Sequence, residues 1–316
     1  MKTRTIITSK IKKDIVDYYN LGHTIKETSE HLKLGYITVF KYLKASKNRN
    51  RNKTRPKPIY SIDELFFEKI DSHKKAQILG MIYADGCLTK NGKTSVDAWK
   101  LELGLTHTDA KYLKQVKYLM KNEAPIRTEN YDLADKIEYK IHIKKRDPFC
   151  RLNTCNHKIC TDIQKLGVHP RKSLTCKFPT PEQVPDEFIN SFILGCFEGD
   201  GSFAFQEGRF EASFMFIGSN EFNIIFKEKI KAILGLHMSF IPCHRTEGMS
   251  NISMSGNKQV IEFMDWLYKD SDENLRLERK YNKYIYFKEK YFNKKINDKS
   301  PEIRQKITDK TKNTRL

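Results

Sequence analysis

Strict alternation of apolar and polar residues marks two segments in the first half of the chain. Between residues 99 and 105, a tryptophan and three leucines occupy every second position, with Lys100 and Glu102 among the residues between them. Between residues 137 and 146, four apolar residues alternate with charged ones. Because successive side chains of a strand point to opposite faces, both segments are predicted to be half-buried strands. The Asn-Gly pair at residues 91–92 predicts a tight hairpin turn before the first strand.

A longer pattern occurs twice. The segment ILGMIYADG at residues 78–86 resembles ILGCFEGDG at residues 193–201, and strand-like alternation follows each copy. Spacing this wide indicates one large duplication and not a solenoid. We predict helices at matching places in both halves, near residues 109–121 and 221–234, and near residues 157–166 and 257–268. Each half therefore has the predicted element order αββαββα, and the predicted fold class is α+β.

The first 45 residues have a different, all-helical pattern. Thr24 and Glu27 form a capping box that predicts the start of a helix, and residues 24–43 resemble a helix-turn-helix of the resolvase and repressor kind. Its packing positions hold Ile25, Ser29, Leu32, Leu34, Val39 and Leu43. The residues that its second helix would present to a DNA major groove are Tyr36, Ile37, Phe40, Lys41 and Lys44. A three-helix module that binds nothing is the alternative interpretation.

The charge of the chain is strongly positive. It carries 58 Lys and Arg against 39 Asp and Glu, a formal net charge of +19. An excess of this size favours an anionic partner, and nucleic acid is the usual one. Lys-rich codon usage with solvated surfaces is the alternative. A basic residue stands at every second position from Lys47 to Lys57, and we expect this linker to follow DNA phosphates, with Arg49 and Arg51 among its contacts.

The predicted domain organisation is a helix-turn-helix domain, a basic linker, two similar halves and a basic tail, at residues 1–45, 46–65, 66–180, 181–290 and 291–316. No apolar run approaches the ~20 residues needed to cross a bilayer, and the N-terminus lacks the apolar core of a signal peptide. We therefore expect an intracellular protein, cytoplasmic or in an organellar matrix, with no membrane partner and with its seven cysteines reduced. A zinc site near Cys155 and Cys160 is disfavoured because the spacing fits no standard zinc pattern.

Each repeated motif places a glycine inside an apolar helix and an aspartate at its end. A helical glycine costs about 1 kcal/mol relative to alanine, and close packing of two helices would explain Gly80 and Gly195. That packing would bring Asp85 and Asp200 together at two helix C-termini, where a carboxylate is unfavourable without a cation. Mg²⁺ binds to one or two carboxylates and to substrate phosphates, so the pair indicates metal-assisted phosphodiester hydrolysis. For a single copy, a solvated aspartate beside a capping glycine would be the simpler explanation.

Both motifs resemble the signature of LAGLIDADG homing endonucleases, and the resemblance covers about residues 66–290. It implies that the two signature helices form the interface between the halves and that the two sheets form a saddle over DNA. It also implies that Asp85 and Asp200 bind the metal, beside the backbone carbonyls of Ala84 and Gly199. The implied cofactor is Mg²⁺, for which Mn²⁺ substitutes. The implied product is a double-strand break with short 3′ overhangs in a long asymmetric site.

The same resemblance implies a monomeric enzyme of an intron or phage, with double-stranded DNA as its partner and no obligate protein partner. Family members often place a basic or amide side chain near the metals, and His107, Lys158 and Lys258 are the candidates by position. At the sixth motif position, Tyr83 and Glu198 are expected to have structural roles.

DNA contacts are expected from the outward-facing residues of the predicted strands of the first half. These are Lys100, Glu102, Lys140, His142, Lys144 and Arg146. An RNA-splicing maturase, or a non-cleaving DNA-binding regulator of the same fold, is the alternative function. The two retained aspartates argue against the regulator, because a protein that only binds DNA has no need of paired metal ligands.

Overall fold

The structure is a computed structural model, and it describes residues 7–21, 23–45, 60–90, 99–129, 148–206 and 211–297. The chain divides into two compact units, residues 1–59 and 60–316. The division falls inside the predicted basic linker. No helix among the described residues is long and apolar enough to cross a membrane.

The described part of the first unit contains three short helices, α1 (Ser9–Asn20), α2 (Ile25–His31) and α3 (Tyr36–Ala45). At the start of α2, the Glu27 backbone N–H donates to Thr24 Oγ1 at 3.2 Å, and the Thr24 backbone N–H donates to Glu27 Oε2 at 2.7 Å. These two bonds satisfy donors that a helix start would otherwise leave without partners. The predicted capping box is therefore confirmed.

The side chains that hold these helices together are those expected from the sequence. The predicted packing residues Ile25, Ser29, Val39 and Leu43 are buried, and Leu32 and Leu34 pack partly buried against them. Phe40 also packs partly buried against this core, so it is less available to a partner than the sequence pattern suggested.

The second unit contains two halves with the same element order. The elements of the first half are α4 (His73–Asp85), β1 (Gly86–Lys90), β2 (Trp99–Thr106), α5 (Ala110–Leu119), β3 (Arg127–Glu129), β4 (Phe149–Thr154) and α6 (His157–Lys165). Those of the second half are α7 (Ile189–Asp200), β5 (Gly201–Gln206), β6 (Glu211–Ser219), α8 (Asn220–Leu234), β7 (Ser239–Pro242), β8 (Met249–Ser255) and α9 (Asn257–Tyr268). A final helix, α10 (Glu278–Asn297), follows the second half.

The two sheets have the same topology. Their strand orders are β1-β2-β4-β3 and β5-β6-β8-β7, and every pair is antiparallel. Gly86 lies opposite Leu103 on β2, and Gly201 lies opposite Phe216 on β6. In both sheets, therefore, the glycine after the motif aspartate pairs with an apolar residue of the second strand. The inner faces of both sheets and the helices that cover them form one continuous hydrophobic core. The predicted α+β fold with two αββαββα halves is confirmed.

Some details differ from the expectations or lie outside the described residues. The predicted order includes two strands after α5, but no residue range was predicted for β4, because its alternation is weaker than that of β2. Helix α10 continues to Asn297, beyond the predicted start of the tail at residue 291. Outside the described residues lie the predicted strand 137–146 with Lys140, His142, Lys144 and Arg146, the Asn-Gly turn, Arg49 and Arg51.

Candidate active site at the interface between the halves

Helices α4 and α7 approach each other so closely that both motif glycines are required. A Cβ atom added to Gly80 would lie 2.0 Å from the backbone oxygen of Phe192, and one added to Gly195 would lie 2.0 Å from the backbone oxygen of Gln77. Carbon and oxygen atoms cannot approach to this distance, so only glycine lets the two backbones meet. The reciprocal contacts confirm the predicted packing of the two motif helices.

The same close approach continues to the ends of the helices, where the two aspartates lie. A Cβ atom added to Gly199 would lie 2.3 Å from Ala84 Cβ and 3.0 Å from Asp85 Oδ2. Asp85 is therefore beside the last turn of α7, and Asp200 is the final residue of that helix. Both residues still reach solvent. The two aspartates thus lie at adjacent helix ends, as the repeated motif predicts.

The surroundings of this pair disfavour negative charge. Burial by neighbouring protein atoms raises the pKa of Asp85 to about 6, and the negative charge of Asp200 contributes to the increase. Burial likewise raises the pKa of Asp200. Two carboxylates at adjacent helix C-termini also face the negative ends of two helix dipoles. A cation at this place would therefore be bound favourably, because it would offset all of these unfavourable effects.

Two lysine side chains place positive charge at the C-terminal ends of the motif helices. Lys172 Nζ donates to the Ala84 carbonyl oxygen at 2.6 Å. Lys280 Nζ donates to the carbonyl oxygens of Phe197 at 2.7 Å and Gly201 at 2.6 Å, with Gly199 at 3.4 Å. Each lysine thus neutralises the C-terminal end of the motif helix in its own half. Burial lowers the pKa of Lys280 to about 8, and the nearby positive charge of Arg279 acts in the same direction.

The residues at the sixth motif position, Tyr83 and Glu198, help to place the two lysines at the site. Tyr83 Oη donates to the carbonyl oxygen of Leu166, just after α6, at 2.5 Å. The carboxyl group of Glu198, which is fully buried, accepts a hydrogen bond from the Leu277 backbone N–H at 2.8 Å. Both bonds hold the segment that follows the last helix of the same half, and Lys172 and Lys280 lie a few residues further on. Structural roles at this position agree with the expectation from the sequence.

Neither lysine was predicted from the sequence. Each stands in an Arg-Lys dipeptide that follows the last helix of its half, at residues 171–172 and 279–280. That repeat is a signal of the duplication, and it would have identified both residues if the two halves had been aligned beyond the motifs.

The three accessory residues that were predicted have other surroundings. Lys158 forms ion pairs with Glu68 at 2.9 Å and Asp162 at 2.7 Å. His107 begins a short 3-10 helix after β2, and Lys258 lies in the first turn of α9. The positive charges that affect the pKa of Asp85 come from Lys172, Lys280 and Arg279 and not from these three residues. A role for them at the metals stays a prediction.

The groups present at the aspartate pair fit a hard divalent cation. In the part of the chain that the structure describes, no three His, Cys, Asp or Glu side chains are grouped so that they could hold a metal ion, so a metal cage built from side chains alone is not formed there. Two carboxylates with backbone carbonyls beside them match an ion that completes its coordination with water and substrate phosphates, as Mg²⁺ does. The Ala84 carbonyl, one of the predicted ligands, accepts its hydrogen bond from Lys172.

Apart from Phe40, which packs partly buried against the core of the first unit, the predicted DNA contacts among the described residues lie on exposed or outward-facing surfaces. Lys100 and Glu102 lie on the face of the first sheet that points away from the core, where Glu102 forms ion pairs with Lys100 at 2.9 Å and with Arg151. On α3, Tyr36 and Ile37 are 52% and 66% exposed. Lys41 and Lys44 are also exposed. Contact of these residues with DNA remains a prediction.

A testable consequence is that Lys172 sets the pH at which the site accepts a cation. Since Lys172 lowers the pKa of Asp85 from what burial alone would produce, Lys172→Met should raise that pKa further. The pH midpoint of Mn²⁺ binding to the free protein should then move upward, and electron paramagnetic resonance of the free ion measures it. Lys158→Met is the matched control and should leave the midpoint unchanged. A shift with Lys158→Met and none with Lys172→Met would assign the accessory role to the other lysine.

Comparison with known proteins finds distant structural similarity. No protein-family model and no curated protein matches the sequence. The I-LtrWI LAGLIDADG homing endonuclease bound to target DNA has 13% sequence identity and a TM-score of 0.47, with 78% of this chain and 96% of that chain covered. The homing endonuclease I-WcaI bound to its DNA recognition sequence has 14% identity and a TM-score of 0.47, with coverages of 67% and 86%.

A third structure, I-SmaMI bound to an uncleaved DNA target in the presence of calcium ions, has 14% identity and a TM-score of 0.44, with 74% of this chain and 96% of that chain covered. Similarity at this level is distant. The two-half fold of this protein rests instead on its own element order, strand register and glycine-mediated helix packing.

Proposed function

We propose that this protein is a site-specific DNA endonuclease of the LAGLIDADG homing type, which makes a metal-dependent double-strand break in a long asymmetric target. The observation that carries the proposal is the pairing of Asp85 and Asp200 at the ends of two helices that only glycine allows to pack. A structural role for the pair is disfavoured, because burial raises the pKa of both carboxyl groups. Evolution of a stable core alone would not favour two such residues here.

The chain's own groups account for binding and orientation of a phosphodiester. Asp85 and Asp200 would hold a divalent ion, preferably Mg²⁺ with Mn²⁺ as a substitute, and the carbonyls of Ala84 and Gly199 lie beside them. When bound, such an ion activates water and stabilises the leaving oxygen. Lys172 and Lys280 place two positive charges next to the carboxylates, where they would attract and orient the anionic backbone. One chain contributes both aspartates, so a monomer completes the site.

The outward faces of the two sheets would bind the duplex on either side of this centre. Each sheet has four antiparallel strands. A major groove admits a β-ribbon, and base edges in that groove carry the sequence information. Cleavage of each strand at a separate aspartate would produce a double-strand break, and we propose short 3′ overhangs for its ends. The exposed residues of α3, Tyr36, Ile37, Lys41 and Lys44, would extend the contacts beyond the region bound by the sheets.

The deciding experiment is the selection of cleaved duplexes from a randomised library by the full-length protein with Mg²⁺. We expect one long asymmetric site that is cut on both strands. Sequencing of the cut ends determines the overhangs directly. Lys41→Glu combined with Lys44→Glu should shorten the selected site at one end without preventing cleavage. Selective binding with no cleavage under any divalent ion would make the protein a DNA-binding regulator. Stimulation of intron splicing without DNA cleavage would make it a maturase.

A further inference from the structure

The outward face of the second sheet has an unusual composition for so basic a protein. Its four strands, β5 to β8, contain no lysine, arginine or histidine, although the chain has 58 Lys and Arg. Three apolar side chains are exposed on this face: Met215 (48%), Ile217 (40%) and Ile241 (51%). The serine and asparagine side chains of Ser253 and Asn251 lie between them.

Strand register makes these residues one continuous patch. Asn251 on the central strand lies opposite Ile217 on one side and opposite Ile241 on the other. Ser253, two residues further along β8, lies opposite Met215. Exposed apolar groups gathered in this way mark a binding surface more often than isolated ones do. This patch alternates apolar groups with small hydrogen-bonding groups across neighbouring strands.

The first sheet has charged side chains at several of the equivalent positions. Because Gly86–Leu103 and Gly201–Phe216 are matching pairs in the two sheets, the neighbouring residue Glu102 corresponds to Met215. The pair Gly104–Arg151 likewise corresponds to Ile217–Asn251.

The correspondence extends to the edge strands β3 and β7, and along β2 to Lys100, which lies two residues before Glu102. Arg127 lies opposite Arg151 as Ile241 lies opposite Asn251, and Lys100 corresponds to Ser213. Thus Lys100, Glu102, Arg127 and Arg151 are all replaced by uncharged residues in the second sheet. The two faces share a geometry and differ in chemistry.

The position of the patch identifies what it would contact. β5 begins directly after Asp200, and its second residue, Ser202, lies opposite Met215. The patch is therefore continuous with the proposed cleavage centre and on the face turned away from the core. In a DNA major groove, the apolar group that a base edge presents is the methyl group of thymine, and asparagine pairs well with adenine. Charged side chains such as Arg and Glu instead suit guanine and cytosine.

We propose that the second sheet recognises an A·T-rich half-site, in which Met215, Ile217 and Ile241 contact thymine methyl groups and Asn251 contacts adenine. The first sheet recognises the other half-site through charged hydrogen bonds. The target is therefore asymmetric in chemistry as well as in sequence. This inference rests on the proposed function, since it assigns base recognition to sheets that bind DNA.

The test uses the duplex selected with the full-length protein and replaces thymidine by deoxyuridine in one half at a time. Deoxyuridine pairs in the same way and lacks only the methyl group. We expect affinity to fall about fourfold for each contacted methyl group removed, in one half-site only. Met215→Ala combined with Ile217→Ala should abolish most of this preference for thymidine. Ile225→Ala is the matched control, because Ile225 is 51% exposed on α8 and should leave the preference unchanged.

The outcomes separate this inference from the proposed function. If a site is selected and cleaved but deoxyuridine has no effect in either half, or an equal effect in both, thymine recognition by the second sheet is wrong and the endonuclease stands. Persistence of the thymidine preference in the double variant would equally overturn it. A change of oligomeric state in the double variant without DNA, measured by sedimentation, would instead make the patch a contact between copies. If no duplex is bound or cut, the proposed function itself fails.

Discussion

Asp85→Asn and Asp200→Asn are each expected to abolish double-strand cleavage while the protein still folds and binds its selected site. Asparagine keeps the size of aspartate and its ability to accept a hydrogen bond, and it loses the charge that holds a divalent cation. We expect a fall of at least about a thousandfold in the rate, which corresponds to ~4 kcal/mol of activation free energy. Cleavage kinetics at saturating DNA and Mg²⁺, with gel shifts in Ca²⁺, measure the two properties separately.

The same substitutions should not reduce stability. The pKa of Asp85 is about 6 in the folded protein, above its usual value of 3.8, so the folded state prefers the protonated carboxyl group. Any stability due to this preference is present at acidic pH and is lost as the pH rises from about 4 through 6. At neutral pH without metal, Asp85→Asn should therefore be as stable as the natural protein or more stable. Added Mn²⁺ should raise the melting temperature of the natural protein more than that of the variant.

A surface substitution provides the control for these two variants. Asp186 pairs with Lys229 at 2.6 Å on the outside of the second half, and Asp186→Asn should cleave normally. Full cleavage by both Asp85→Asn and Asp200→Asn would remove the catalytic assignment. Loss of folding in both would make the two residues structural and would favour a binding protein without nuclease activity.

Gly80→Ala and Gly195→Ala are expected to have the largest effects on folding. The added methyl group in either variant would meet a backbone carbonyl oxygen at 2.0 Å, and no change of side-chain rotamer can relieve that contact. The two helices must separate, which disturbs the packing along their whole interface. We expect a loss of ~3 kcal/mol or more in the free energy of unfolding, at the upper end of the usual range for overpacked cores. Chemical denaturation followed by circular dichroism measures this loss.

Gly235→Ala distinguishes this effect from the ordinary cost of removing a glycine. Gly235 ends α8 with φ of +69°, and no atom lies within 4 Å of an added Cβ. Its substitution should cost only the ~1 kcal/mol of a left-handed backbone conformation. Equal losses in all three variants would mean that backbone conformation, and not close helix packing, explains the motif glycines.

Much of the fold followed from local patterns in the sequence. The alternation around Leu101 and Leu103 predicted β2, and helical periodicity predicted α9 with its observed limits, because both patterns reflect which face of one element is buried. The duplicated motif predicted that Asp85 and Asp200 lie close together, since internal glycines allow two similar helices to pack against each other. These inferences need only neighbours along the chain and the assumption that like segments fold alike.

The arrangement around the aspartates was decided by tertiary structure. Lys172 and Lys280 are far from the motifs in sequence, and they reach the helix ends because hydrogen bonds of Tyr83 and Glu198 hold the segments before them. The contrast between the two sheet faces likewise appears only when strand register aligns residues such as Glu102 and Met215. Charge and periodicity identify elements and their buried faces. Which distant side chains share one small volume depends on how the elements pack, because a contact across the fold leaves no periodic signal in the chain.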